Sequence, residues 1–382
     1  MEVSLIDLEA QYREIEDEIL AVVKKVLRSG RYILGPNVSS LEEEIAFYCG
    51  SKYAVGVASG TDALELSLAA LGVSEGDEVI TTPFTFVATA EAIVRVGARP
   101  VFVDIKKDTF NIDPVRIKEG ITERTRAIIP VHLYGQSANM EAILEIAEEY
   151  HLKVIEDAAQ AFGAEYRFSL SRGNDGQQRV KKVGSLGDAG CLSFFPTKNL
   201  AGYGDGGMVL TSNSEVVERL RRLRVHGTGQ DRYSYTLRGK NSRLDEVQAA
   251  ILRVKLKYVE EWLKMRQQKA SLYNKLLGEE ASIPVRTPLV TPCTTHTYCV
   301  YTILTLHRDE LKEYLKKKGI NCRVYYPVPL HLQDTYKYLG YHKGDFPVAE
   351  KVSEEVISLP VYPELPEEKL RYVVREIRKF YS

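Results

Sequence analysis

Between about Tyr53 and Leu210, short apolar runs rich in β-formers alternate with stretches of helical periodicity. That alternation constrains the fold more than any other feature of the chain. Ala54–Ala58, Glu78–Thr81, Pro100–Val103, Ala127–Val131 and Lys153–Asp157 read as strands. Helical stretches such as Ala63–Leu71, closed by Gly72, Ala88–Val96 and Met140–Tyr150 separate several of them. The strands are nearly continuous in apolar residues, so they are buried on both faces, the signature of a mostly parallel sheet covered by helices on each side. Ligands of such sheets sit beyond the carboxyl ends of the strands.

After Leu210 the pattern changes. Leu244 to about Leu277 reads as one long helix without internal Gly or Pro. A β run (Tyr298–Leu306), a helix (Asp309–Lys318), a short strand (Asn321–Tyr325) and further helical stretches to Tyr381 follow. This is an α+β pattern. The boundary is placed inside the long helix near Val254, giving a large domain, 1–254, and a small C-terminal domain, 255–382. A length of 382 residues suits two domains.

Composition excludes several classes of function. The net charge of −1 provides no field for nucleic acid or an anionic membrane. The one dense basic run, Arg219–Arg224, has Leu220 and Leu223 at helical spacing and reads as a solvated helix face. No apolar run is long enough to cross a bilayer, and the start, Met1–Asp7, lacks the features of a signal peptide. Five cysteines without a Cys-x-x-Cys pair suggest reduced thiols in a cytoplasm. No His, Cys and carboxylate cluster has metal-site spacing, so no metal is expected.

Four segments carry chemistry. Ala58-Ser-Gly-Thr-Asp-Ala63 lies at a strand-to-helix junction, where Gly60 allows a tight turn and the following amides can bind a phosphate, with Thr61 adding a hydroxyl. The alternative is that Thr61 or Asp62 only caps the helix. Val154–Gln160 is an apolar strand ending in two acids, and Asp157 there suits either a buried cation, such as a protonated pyridine nitrogen, or a helix cap. Ser193–Gly207 places Lys198 in a Gly-rich loop between two strands. A partly desolvated lysine there can form a Schiff base, and the glycines suggest close backbone approach to a ligand. In Gly239–Ala250, Asn241 or Ser242 can cap the long helix, and Arg243 is either a surface charge or a carboxylate binder.

A phosphate cradle, an acid for a pyridine nitrogen and a lysine for an aldehyde are what pyridoxal 5'-phosphate (PLP) requires. With these segments, Ser29–Pro36, Pro83–Ala90, Val131–Gly135, Tyr326–Gln333 and Gly344–Pro347, the chain resembles the DegT/StrS-type family of PLP sugar aminotransferases from about Leu5 to Pro363. The resemblance implies fold type I, an α/β large domain with a mostly parallel seven-stranded sheet plus a smaller α+β domain, and a homodimer with shared active sites. It implies Lys198 as the Schiff-base lysine, Asp157 on the pyridinium nitrogen and Gln160 near the ring hydroxyl. Gly60, Thr61 and Ser193 would hold the phosphate, Phe86 would stack on the ring (a plain core aromatic is the alternative), and Asn241 would reach the phosphate from the partner subunit. Arg243, Tyr326 and His331 are placed on the substrate side. In Tyr325–His331 the aromatic faces, hydroxyl and imidazole suit a sugar, with a Pro-rich surface loop as the competing reading. Arg31 and Tyr32 either contribute a cation and a phenol to a diphosphate or sugar or lie in a helix-ending surface loop.

The reaction implied is transamination of a dTDP- or UDP-linked keto sugar, 3-keto favoured over 4-keto, with glutamate as donor and 2-oxoglutarate as by-product. The product would be an amino sugar for polysaccharide, O-antigen or other glycoconjugates. A cyclitol aminotransferase and a non-catalytic PLP-binding regulator are the alternatives; the lysine at 198 argues against the related dehydratases. His132 and His226 read as structural. One departure from the family is a long polar insertion, Arg167–Lys182, expected to be a surface hairpin.

Overall fold

A computed structural model describes residues 1–169, 179–229, 231, 233–279 and 283–382. Its main sheet has seven strands in the order β1-β9-β8-β5-β4-β2-β3. In chain order these are β1 (Tyr53–Val57), β2 (Glu78–Thr81), β3 (Arg99–Phe102), β4 (Thr125–Ile128), β5 (Lys153–Asp157), β8 (Ala189–Ser193) and β9 (Gly207–Thr211). The neighbours from β3 through β8 pair in parallel. Only β9 runs the other way, antiparallel to both β8 and β1. The carboxyl ends of the six remaining strands therefore share one edge, as expected of a mostly parallel sheet.

Period-two alternation sends neighbouring residues to opposite layers. Ile80, Ile128 and Val154 pack with Leu41, Ile45, Met140 and Leu252 on one face. Val79, Ala127 and Ile155 pack with Leu64, Leu68, Ile93 and Leu220 on the other. Burial on both sides explains why the strands read as apolar runs rather than as an alternating pattern. The helix Ser214–Leu223 buries Leu220 and Leu223, so the arginine-rich run is the amphipathic face expected of it.

The long helix read over Leu244–Leu277 is two helices, Glu246–Leu256 and Val259–Gly278. The break falls at Lys257–Tyr258. Lys257 Nζ bonds Glu18 at 2.7 Å, and the Tyr258 ring stacks on Trp262. Apolar periodicity cannot register so short an interruption. The cap of the first helix is Asp245, whose side chain accepts the Gln248 N–H at 2.8 Å, and not Asn241 or Ser242. The Ser242 hydroxyl instead accepts the Ala58 N–H. Glu246, next to the cap, is buried and accepts hydrogen bonds from the Asn37 and Val38 amides and the Asn37 side chain, which satisfies the start of the helix Pro36–Cys49.

Strands β10 (Tyr301–Leu304) and β11 (Val356–Leu359) pair antiparallel beneath the helices Arg308–Lys317 and Glu367–Tyr381. Their core draws in Val3, which pairs with Ile320. Asn321–Tyr325, read as a strand, makes one isolated bridge, Arg323 to Ser358. A further cluster joins the two halves: Phe84, Phe102 and Tyr134 pack against Leu330, Phe346 and Val352. Across the same seam Asp104 accepts the Val348 and Ala349 amides, each at 2.9 Å, capping the helix Pro347–Glu355. The stems of the insertion are β6 (Glu165–Arg167) and β7 (Val180–Lys182), paired antiparallel; its residues 170–178 lie outside the described residues.

Also at the seam, His296 is buried, its Nδ1 accepts the Tyr298 N–H at 2.9 Å, and its ring stacks on Tyr298. Burial lowers its pKa from 6.5 to about 3. The folded state thus keeps the ring neutral, while the unfolded chain binds a proton below the ordinary value. This contribution to stability is complete above about pH 6.5 and is lost as pH falls toward 3. The urea midpoint should fall between pH 7 and pH 4, and His296→Gln should flatten that fall while lowering stability at pH 7.5 by about 1 kcal/mol. Equal pH slopes for the two proteins would remove His296 from this role.

Candidate active site

The carboxyl edge of the sheet opens into a cavity of about 660 Å³. Its floor and sides come from strand ends and helix starts: Ser59–Thr61, Thr85–Phe86, Asp157–Gln160 and Ser193–Lys198. Its far wall comes from Leu5 and Ile6, Cys299 and Val300, Tyr325 and Tyr326, and Leu359 and Val361. The site is therefore built across the seam between the two halves.

Ser59 caps the helix Gly60–Ala70, its hydroxyl accepting the Asp62 N–H at 3.0 Å. The cap is thus neither Thr61 nor Asp62, and the Thr61 hydroxyl is left at the cavity. The Gly60 and Thr61 amides are the first of the helix and have no intrahelical acceptor, which suits them to an anion. Gly60 also lets Ser193 approach, since a Cβ on Gly60 would lie 2.7 Å from the Ser193 Cβ.

Lys198 lies in the loop after β8. The loop is closed on itself by the Phe194 N–H on the Gly206 carbonyl and the Gly202 N–H on the Phe194 carbonyl, both 2.8 Å. The loop glycines make room for neighbouring protein. A Cβ on Gly202 would strike Gln248, one on Gly206 would strike Leu244, and one on Gly207 would lie 2.3 Å from the Ser59 carbonyl. The Gln248 side chain accepts the Tyr203 N–H at 2.7 Å, so the helix Glu246–Leu256 holds the loop in place.

At the end of β5 two adjacent carboxylates face opposite ways. Glu156 is wholly buried and accepts the Gly184, Leu186 and Gly187 amides at 2.6–2.8 Å. His132 Nδ1 accepts the Ala138 N–H, so its Nε2 carries the proton and donates it to Glu156 at 2.9 Å. His132 is structural, as read. Asp157 faces the cavity. It accepts the Thr89 hydroxyl at 2.8 Å and the Ala159 N–H at 3.2 Å, and Thr85 lies 3.0 Å behind Thr89. Gln160 accepts the Tyr134 N–H at 2.8 Å, and its Nε2 donates to the Tyr326 hydroxyl at 3.1 Å. Phe86 is 55% exposed, which excludes a plain core role, and its ring centroid lies 6.2 Å from that of Tyr326.

Gly60, Thr61, Phe86, Asp157, Gln160, Ser193, Lys198 and Tyr326 are thus brought together. Arg31, Tyr32, Asn241, Arg243 and His331 do not line the cavity of this chain. Arg31, Tyr32 and Asn241 are exposed, and Arg243 is half-buried. The first loop and the Asn241–Asp245 segment meet, because Ile33 pairs with Asp245 and the Glu246 N–H donates to the Tyr32 carbonyl at 2.9 Å. His331 is buried against Phe346, and its Nε2 lies 3.0 Å from Glu350. Glu350 also accepts the Gly344 and Phe346 amides. The Pro-Leu-His-Leu-Gln and Gly-Asp-Phe-Pro segments are therefore tied to each other by a carboxylate, with His331 turned toward Glu350. Sequence reasoning missed Thr89, Tyr134, Leu5 and Ile6. Thr85 and Thr89, four apart at the start of a helix, were a weak signal; Leu5 and Ile6 offered none beyond being apolar.

A sequence model of the DegT/DnrJ/EryC1/StrS aminotransferase family matches residues 13–378. The chain belongs to this family. It is 50% identical to the pleiotropic regulatory protein of Geobacillus stearothermophilus, over 100% of this chain and 99% of that one. It is 41% identical to the dTDP-3-amino-3,4,6-trideoxy-alpha-D-glucose transaminase of Streptomyces venezuelae, over 99% and 96%. The crystal structure of NtdA from Bacillus subtilis with bound cofactor PMP superposes with a TM-score of 0.88 at 30% identity, covering 100% of this chain and 85% of that one.

Thr89→Val should lower affinity for PLP, or turnover with it, by roughly ten- to a hundredfold, the worth of one hydrogen bond to a buried charge. Thr89→Ser should recover most of the loss. Titration with PLP and a glutamate assay read both effects; a valine variant that matches the parent in both would show that the hydroxyl does not hold Asp157.

Proposed function

We propose that the chain is a PLP-dependent aminotransferase that converts a nucleotide-linked keto sugar, dTDP- or UDP-borne and 3-keto rather than 4-keto, into an amino sugar, with glutamate as amino donor. The observation that carries the reading is the convergence of Lys198, Asp157 and the Gly60–Thr61 helix start on one cavity. These groups fit PLP: free helix amides and the Ser193 and Thr61 hydroxyls for the phosphate, a buried carboxylate for the ring nitrogen, an amine for the aldehyde, and the exposed face of Phe86 for the ring. The S. venezuelae relative, a dTDP-3-amino sugar transaminase by name, supports both the nucleotide and the 3-position.

Bound PLP supplies an electron sink for charge that develops at the carbon losing its proton. The residues of the chain do the rest. Lys198 Nζ takes the proton from the donor's α-carbon and returns it on the other side of the exchange. Asp157, whose oxygens accept from the Thr89 hydroxyl and the Ala159 amide, would hold a proton on the ring nitrogen. Gln160 Nε2 would donate its second proton to the ring hydroxyl. The Tyr325–Tyr326 wall excludes water and faces the sugar. Product sugars of this kind serve polysaccharide, O-antigen or other glycoconjugate assembly in the cytoplasm.

A second reading, a PLP-binding regulator without turnover, draws on the name of the G. stearothermophilus relative. The intact Lys198–Asp157 pair favours the enzyme. The PLP-loaded protein should lose its cofactor absorbance on adding glutamate and regain it with a dTDP- or UDP-linked keto sugar. Recovery that is faster with simple keto acids other than 2-oxoglutarate than with every keto sugar would defeat the sugar assignment, and no response to glutamate would leave the regulator.

Each active site should draw on two chains of a homodimer. Asn241 is exposed and away from its own cavity, which supports a role at the partner's phosphate, and the adjoining Arg31–Tyr32 loop and Arg243 would approach that site with it. Lys198→Ala and Asn241→Asp chains, each inactive alone, should recover up to a quarter of parental activity when mixed and allowed to exchange. One site of a hybrid dimer then carries both changes and the other neither. A fully active monomer would overturn this.

A further inference from the structure

The hydrogen bonds around Gln160 and Tyr326 have one consistent proton arrangement. The Tyr134 N–H donates to Gln160 Oε1 at 2.8 Å. A backbone amide only donates, so the oxygen end of the side chain is the end at Tyr134 and the NH2 end points away. Gln160 Nε2 lies 3.1 Å from the Tyr326 hydroxyl, and an NH2 group also only donates. The Tyr326 oxygen therefore accepts from Gln160 through one lone pair, and its own proton must go elsewhere. No described residue accepts it, and Tyr326 lines the cavity. Tyr134 is itself pinned: it sits at φ 58°, a left-handed conformation rare for a bulky residue, and its hydroxyl donates to the Tyr325 carbonyl. Burial also pushes the Tyr326 pKa well above its usual value, which keeps the proton on the phenol at neutral pH.

We propose that Tyr326 is a specificity-determining residue that donates its proton to a carbonyl or hydroxyl oxygen of the keto-sugar acceptor, with Gln160, oriented by the Tyr134 amide, holding the phenol oxygen as an acceptor on the protein side. The inference builds on the sugar reading above. Gln160 Nε2 keeps its second proton for the cofactor's ring hydroxyl, so the tyrosine proton is left for the substrate. A neutral donor suits a neutral oxygen, whereas the carboxylates of glutamate call for a cation. An ammonium group in place of that oxygen would offer the Tyr326 proton no acceptor.

The test compares PLP-loaded parent with Tyr326→Phe, which keeps the ring packed against Phe86. Three quantities are measured: PLP affinity, the rate at which glutamate converts the cofactor to its amino form, and kcat/KM for return of the aldehyde form by a dTDP-linked 3-keto-6-deoxyhexose. Loss of the donor should lower the third on the order of tenfold, the scale of one hydrogen bond to a neutral group, with the first two within about twofold. Equal slowing of both half-reactions, or weakened PLP binding, would place the proton on the cofactor and overturn the proposal, as would an unchanged third quantity. A parent that responds to glutamate but to no keto sugar would refute the sugar reading, and the proposal with it; that failure shows in the parent alone.

Discussion

Everything at the site depends on the period-two geometry of β5. Two acids adjacent in the chain, Glu156 and Asp157, are driven by the pleat to opposite sides of a strand buried on both faces. A bare carboxylate could stay charged on neither side. Glu156 is satisfied by three amides and His132, and in being satisfied it fixes the turn Gly184–Gly187 that leads into β8. Asp157 is satisfied by one hydroxyl and one amide and keeps acceptor capacity toward the cavity. The same strand thus orders the scaffold with one acid and presents the other to a ligand. Because β8 ends at Ser193, the turn fixed by Glu156 also sets the entry to the Lys198 loop.

The cavity is a product of the seam between the two halves of the molecule. Strand ends and helix starts on the sheet side supply charge and free amides. The far side supplies mostly apolar surface, with Cys299, Tyr325 and Tyr326 as its polar members. Cross-seam packing of Phe84, Phe102 and Tyr134 on Leu330 and Phe346, with Asp104 capping the helix Pro347–Glu355, holds the two sides in register. Supporting groups sit behind those that face the cavity: Thr89 behind Asp157, Tyr134 behind Gln160, Gln248 behind the lysine loop. Such supporting contacts set the orientation of the groups they hold.

The strands were legible because burial on both faces writes itself as unbroken apolar runs, and Lys198, Asp157 and Gly60 because each sits in a local pattern of turn and charge. The break at Lys257–Tyr258 was not legible, since the apolar stripe continues across it, and the cap at Asp245 was masked by two better-looking candidates upstream. The loop glycines pointed to a close approach but not to what approaches; the answer, Gln248, Leu244 and Ser59, comes from distant segments. His331 looked like a site residue because an imidazole beside tyrosines suits a sugar, yet Glu350 claims it from within the core.

The sequence by itself determined the sheet, the alternation of layers, the family and the residues able to meet a phosphate, a ring nitrogen and an aldehyde, because these follow from periodicity and from short ordered motifs. Only the tertiary structure decided which of two neighbouring acids faces the cavity, which residue caps which helix, that Thr89 and Tyr134 stand behind the reactive groups, and that residues as far apart as Leu5 and Val361 share one wall. Those outcomes depend on which lone pairs and protons are already taken by partners up to hundreds of residues away, and a linear pattern carries no record of that.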